Sequence, residues 1–187
     1  MKKGMYYIAV ISVVLTMAST LLCCLFDIAV AQSLAITFGT TAYHCLMRLA
    51  VGAAFDRWMN NRADYSRKWY QCATWETKIY KLLRVKHWKN KLPSYNADYF
   101  DPGKHSWEEI AQAMCQAELV HELIILLSFL PVFAAILFGA LPVFLITSLL
   151  AACFDAMFVV MQRYNRPRIL KLMEKTCSGK YYGIRKI

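Results

Sequence analysis

Three residues of the stretch AELVHEL carry groups able to move a proton: Glu118, His121 and Glu122, at i, i+3 and i+4. On a helix this spacing places all three on one face. A carboxylate beside an imidazole orients the ring, fixes its tautomer and raises its basicity. That is what a general base acting on a hydroxyl requires. A polar cap on a helix leaving a membrane is the competing reading, and for Glu122 it stays open.

A second group is QRYNRPR, residues 162–168, with three arginines in seven positions. A charged collar that stops a membrane helix needs only positive charge. Arginine adds a planar, bidentate fork suited to phosphate or carboxylate, and Tyr164 and Asn165 add further donors. Lys86, His87, Lys89 and Lys91 supply more positive groups upstream. The pattern favours a headgroup or phosphate site.

A third group lies inside apolar sequence, where an ionisable residue costs several kcal/mol. Arg48 stands eight residues before Asp56, and Asp155 seven before Gln162. Both therefore sit roughly 10–12 Å below the same end of their helices, at ~1.5 Å per residue. Equal depth suggests an intramembrane ion pair, whose ordinary role is registry between helices. His44, one turn deeper, reads as a hydrogen-bonded interior residue, and Asp27 as a structural residue near the opposite surface. The seven cysteines form no C-x-x-C pair and are odd in number, against a disulfide framework or zinc site. Cys115, one turn before Glu118, reads as packing.

The elements that position these groups follow from composition. The chain has 187 residues, 58% hydrophobic, with mean hydropathy +0.35, whereas soluble domains are nearer half apolar. The excess falls in runs long enough to cross a bilayer, about 20 residues each. We expect an all-α integral membrane protein, one domain over 1–187, with four transmembrane helices near 6–31, 36–55, 110–139 and 141–161. A signal peptide competes for the first run, but its apolar core exceeds the roughly 7–15 residues of such peptides. The second span, carrying His44 and Arg48, is the weakest, and a tilted or partly re-entrant path stays open for it. Ser106 and Glu109 form a capping box at the start of the third helix, Pro131 kinks that helix, and 139–142 turn the chain.

Charge fixes the orientation. Of 22 Lys and Arg, only Arg48 falls inside a span, and the connections AQSLA and GAL carry none. Both termini are then cytoplasmic. The net charge of +10 points to the membrane surface rather than to nucleic acid. Between spans two and three, the basic cytoplasmic segment 56–109 holds all five tryptophans, suited to the headgroup level. Within it, TKIYKLLRVKHWKNKLP has one apolar and one basic helical face, the pattern of an amphipathic interfacial helix ended by Pro93. SYNADYFDPGKH is a loop, and 162–187 form a basic tail.

Three blocks, VKHWKNKLP, AELVHELIILLSFLPV and MQRYNRPRILKL, keep an order and spacing that resemble the bacterial glycosyl-diaponeurosporenoate acyltransferases. These are small membrane proteins acting late in staphyloxanthin-type carotenoid-glycoside synthesis. The resemblance runs from about residue 78 to 171 and rests most on QRYNRPR. It implies a multi-pass protein of the bacterial cytoplasmic membrane that transfers a fatty acyl group to a sugar hydroxyl of a lipid glycoside. The partners are then membrane lipids, the glycoside and an acyl donor, with no nucleic acid. The matching positions are Trp88, Lys89, Glu118, His121, Gln162, Arg163, Tyr164, Asn165, Arg166 and Arg168. Chemistry assigns His121 as base and Glu118 as its orienting group. The arginines with Lys89 hold the phosphates of a coenzyme A or carrier-protein thioester, a co-substrate with no further cofactor and no metal. Asn165 or an arginine meets the oxyanion. Asp155, Met157, Glu122 and the SYN turn depart from the family pattern and leave the acceptor open.

No His-x4-Asp or Gly-x-Ser-x-Gly motif is present. Two other readings remain: a metal-dependent membrane enzyme using Glu118 and His121, and a non-catalytic lipid-binding subunit of a biosynthetic complex. A carboxylate-bridged metal centre would need a second Glu-x-x-His, which is absent, and a single-metal site using His44 stays open.

Overall fold

The structure is a computed structural model describing the backbone of residues 2–92 and 97–184, and the side chains of 2–92 and 97–176. Pro93 and the SYN turn, 94–96, lie outside the described residues. All regular structure described is helical: α1 Lys2–Phe26, α2 Ala29–Trp58, α3 Thr74–Leu82, α4 Val85–Trp88, α5 Trp107–Leu127, α6 Ala135–Phe138 and α7 Leu141–Ile184. Among the described residues, three stretches are long and apolar enough to cross a membrane: Lys2–Phe26, Trp107–Phe138 and Leu141–Thr176. The second of the four expected spans, now within α2, is not among the three; Gln32, His44 and Arg48 dilute its apolar character.

The chain divides into two compact units. The first comprises Met1–Ala54 and Leu123–Asp155. Its buried residues are mostly small, among them Ala9, Ser12, Ser19, Ala31, Thr40 and Ala42, while Val14, Leu21, Ile136 and Leu150 are exposed. That inverts the soluble pattern. Small residues let helices approach closely, and large apolar ones face lipid. Asp27 takes a left-handed φ of 50° in the link from α1 to α2. At Pro131 the α-helical ladder does not merely kink. It gives way to a 3-10 helix, Leu130–Ala134, with the proline in its first turn, where its missing N–H is tolerated. Gly139 and Ala140, with φ of 76° and 25°, turn the chain into α7.

Arg48 and Asp155, expected at equal depth, are ion-paired in this unit. Arg48 also donates to the carbonyls of His44 at 3.0 Å and Ala151 at 3.4 Å. His44 is buried, but neither ring nitrogen has a hydrogen-bond partner among the described residues, contrary to the expectation for it.

The second unit comprises Phe55–Glu122 and Ala156–Ile187. Its core includes Ala63, Tyr70 and Cys115, with Met59, Tyr65 and Leu119 packed against them. The box at the start of α5 is formed: the Ser106 N–H donates to Glu109 at 2.8 Å and the Glu109 N–H to Ser106 Oγ at 3.2 Å.

Two expectations change here. The interfacial stretch is not one helix, because Arg84 adopts φ 49°, ψ 40° and separates α3 from α4. The reason is packing. Glu76 and Tyr80 face inward from α3, and Val85 is also fully buried. At about 100° per residue, an unbroken helix would put Val85 opposite Glu76. The break swings it into the core. Second, the basic tail is not separate from the last span, since α7 continues through Pro167 to Ile184.

Candidate functional site: a buried Glu–Arg network

Glu118 is the centre of the second unit's polar core. It projects from α5 and is fully buried. One carboxylate oxygen accepts from Arg163 Nη1 at 2.6 Å, the other from Arg166 Nη2. The arginines are three apart on α7, so both reach the same partner. Arg166 is itself buried. It donates from Nη1 to the Tyr70 carbonyl at 2.7 Å and lies 5.1 Å from the Tyr70 ring centre.

Arg163 uses every donor it has. Nε and Nη2 donate to the two oxygens of Glu76 at 2.8 and 2.7 Å. Nη1 donates to the Trp69 carbonyl at 2.9 Å as well as to Glu118, and Nη2 also to the Gln71 carbonyl at 3.1 Å. These account for all the N–H groups of a guanidinium. Arg163 and Arg166, two of the three arginines expected to clamp phosphate, are therefore held by two carboxylates and three carbonyls, and Arg163 has no donor left for a ligand. Two glutamates balance two arginines, which is the condition under which buried charge is tolerated.

Glu76 sits in the first turn of α3, where its side chain also accepts from the Ala73 N–H at 3.0 Å. Burial opposes its ionisation. Hydrogen bonds from Arg163, Tyr80 and Ala73 outweigh that and hold the carboxyl at about 2. Tyr80 donates its hydroxyl to Glu76, and burial, then this bond, pushes its phenol well up. Burial likewise raises Tyr70 to about 12. Burial and then the Glu76 charge raise the Cys72 thiol, which disfavours a thiolate nucleophile there.

His121 lies one turn beyond Glu118, its ring stacked on Phe158 at 4.6 Å and 8°. Glu122 accepts from Trp69 Nε1 at 3.1 Å. It also lines a cavity of about 450 Å³ with Trp69, Trp75, Glu76, Tyr80 and Arg163. Its lining combines aromatic side chains with Glu76 and Arg163 of the ion-pair network.

The remaining family-block residues gather on another face of α7. Lys89 Nζ donates to Asn165 Oδ1 at 2.6 Å and lies 5.3 Å from the Tyr164 ring centre. Arg168 donates to the Tyr164 hydroxyl at 2.6 Å and covers the same ring at 4.3 Å. Trp88 bonds the Leu83 carbonyl at 2.9 Å, bracing the break at Arg84. Gln162 is buried. The Arg48–Asp155 pair belongs to the other unit. Among the described residues no three His, Cys, Asp or Glu side chains group as metal ligands.

Sequence reasoning missed Glu76, Trp69, Tyr70 and Tyr80. One signal was available. Glu76 is the only carboxylate between Asp64 and Asp98, a stretch rich in lysine and arginine. A lone acid among cations is a natural partner for a buried arginine.

Comparison with curated proteins and with solved structures gives no match. A family model does match, that of glycosyl-4,4'-diaponeurosporenoate acyltransferase, over residues 66–175. The matched range is more than half of the chain and contains the whole buried network, and the protein belongs to the glycosyl-4,4'-diaponeurosporenoate acyltransferase family.

Proposed function

We propose that the protein is an O-acyltransferase of the bacterial cytoplasmic membrane. It moves a fatty acyl group from a thioester donor to a hydroxyl of a lipid glycoside at the cytoplasmic interface. The observation that carries the reading is that the family match encloses His121 and every member of the Glu76–Arg163–Glu118–Arg166 network. In the reaction, His121 takes the proton of the acceptor hydroxyl as its oxygen attacks the thioester carbonyl. The carbon–sulfur bond then breaks and the departing thiolate is protonated. Stacking on Phe158 supports the base assignment, because it fixes the plane of the imidazole. Glu118 acts as a positioning residue through the arginines it holds, and Asn165 is a candidate donor to the oxyanion.

Four spans with both termini cytoplasmic remain the topology we propose, α2 being the fourth. The charge of Arg48 is met by Asp155, which lowers the cost of carrying it through lipid. The test is acyl transfer in reconstituted membranes supplied with acyl donor and a panel of lipid glycosides, read by mass spectrometry. Wild type is expected to give acylated glycoside and His121→Ala to fall by about 10²–10⁴-fold, the usual worth of a general base. Equal product from the two proteins sinks the base assignment.

A further inference from the structure

We propose that a cationic cavity in the second unit binds the phosphate-bearing end of the acyl donor, and that this donor is a polyphosphate thioester of the coenzyme A class. The inference rests on the acyl-transfer reading and adds Lys81, Arg84 and Lys171 to the phosphate-site residues expected from the sequence.

The cavity has a volume of about 460 Å³. Lys81, Arg84, Lys86, Arg168 and Lys171 line it, and no carboxylate does. None of these five has an ion-pair partner among the described residues. The contrast with Arg163 and Arg166 is sharp, since both of those are bonded to glutamates. The unit thus sorts its cations into a neutralised set and an uncompensated set.

Two further observations make the cavity more than a charged membrane collar. Arg84, on its wall, holds a left-handed conformation with φ 49°, which disfavours a side-chain-bearing residue. That conformation sets α4 at an angle to α3 and brings Lys86 to the same cavity as Lys81. Beside it, Lys89 and Arg168 flank one tyrosine ring. Burial, and then the charge of Arg168, pull the Lys89 ammonium down. Like charges crowded together are relieved by an anion.

Charge number decides the class of ligand. A carrier-protein arm brings a single phosphodiester, whereas coenzyme A brings several phosphates. Five uncompensated cations match the second. Anionic headgroups offer the same chemistry from the lipid, so the test must separate the two sources.

The full-length protein in phosphatidylcholine nanodiscs is titrated with coenzyme A, 4'-phosphopantetheine and inorganic pyrophosphate. Coenzyme A is expected to bind, pyrophosphate to compete with it, and 4'-phosphopantetheine to bind at least about tenfold more weakly. Arg84→Gln/Lys171→Gln, at two exposed positions, is expected to weaken coenzyme A by at least about tenfold. Lys81→Gln/Lys86→Gln is expected to do the same, with the helical circular dichroism of both unchanged. Coenzyme A affinities within twofold of wild type in both variants overturn the proposal. So does a loss confined to flotation on phosphatidylglycerol vesicles, which would make the cations a headgroup collar. With acyl-coenzyme A as donor, the variants are expected to raise KM and leave kcat. If product forms with an unchanged KM, this inference fails while the acyl-transfer reading stands. If coenzyme A binds as described but no glycoside is acylated, the site stands and the acyl-transfer reading fails.

Discussion

Replacing Glu118 by glutamine removes the charge shared by two arginines while keeping the side chain's size. The two arginines do not lose equally. Arg163 keeps both oxygens of Glu76. Arg166 keeps a carbonyl bond to Tyr70 and that ring's face, but Glu118 is its one carboxylate partner among the described residues. It is only 1% exposed, and its Nε already lacks a hydrogen-bond partner. Water cannot compensate it. Breaking a buried pair from one side costs about 3–5 kcal/mol. For a chain of this size, at about 2–4 °C per kcal/mol, Tm should fall by roughly 6–20 °C. The assay is thermal unfolding of wild type and variant in one detergent, followed by far-ultraviolet circular dichroism. Glu76→Gln is the internal comparison. It leaves Arg163 paired with Glu118 and should cost less. Glu118→Gln/Arg166→Met, which removes both charges, should recover most of the loss, because an apolar pair is tolerated where a lone charge is not. A Glu118→Gln shift below about 2 °C, less than one kcal/mol, refutes the reasoning. So does a double variant no more stable than the single.

Two other outcomes follow from the same network. Glu76 is held at about 2 against an ordinary 4.5, so below the ordinary value the unfolded chain binds a proton that the folded one refuses. Its contribution is complete above about 4.5 and is lost as pH falls toward about 2; Tm measured downward from pH 7 should show this loss, and Glu76→Gln should flatten it. Arg163→Lys keeps the charge that a membrane collar needs but replaces five donors with three. With two carboxylates and two carbonyls to satisfy, it should lower stability by about 1–3 kcal/mol per acceptor left unmet, and a Tm equal to wild type in the same unfolding assay counts against the network.

How far the sequence carried depends on the range of the interaction concerned. Local signals were legible. The Ser106–Glu109 box is a three-residue pattern, and both its bonds are present. The Arg48–Asp155 pair spans 107 positions, yet simple depth arithmetic found it, because helix rise is constant. The break at Arg84 was not legible. TKIYKLLRVKHW has an unbroken amphipathic pattern, and only the burial of Val85 against distant residues decides against one helix. The extent of α7 was hidden for a similar reason. The run of charges in QRYNRPR reads locally as the end of a span. In the structure, the bonds Arg163 and Arg166 make to α5 and the segment 69–76 hold that part of the helix in place.

That continuity changes what QRYNRPR is. As an extended collar, its residues would share one environment. On a continuous helix they diverge at about 100° per step. Arg163 and Arg166 turn to Glu118. Tyr164, Asn165 and Arg168 turn to Lys89 and the cationic cavity. Pro167 lines that cavity too, at a position where a proline costs a helix interior about 3 kcal/mol. Positive charge at a membrane surface requires none of this: lysines would serve, and the proline would only weaken the helix. An arrangement that neutralises two arginines on one face and leaves cations open on the other makes sense as a divided tool. One face holds the scaffold together, and the other is left free to meet an anion.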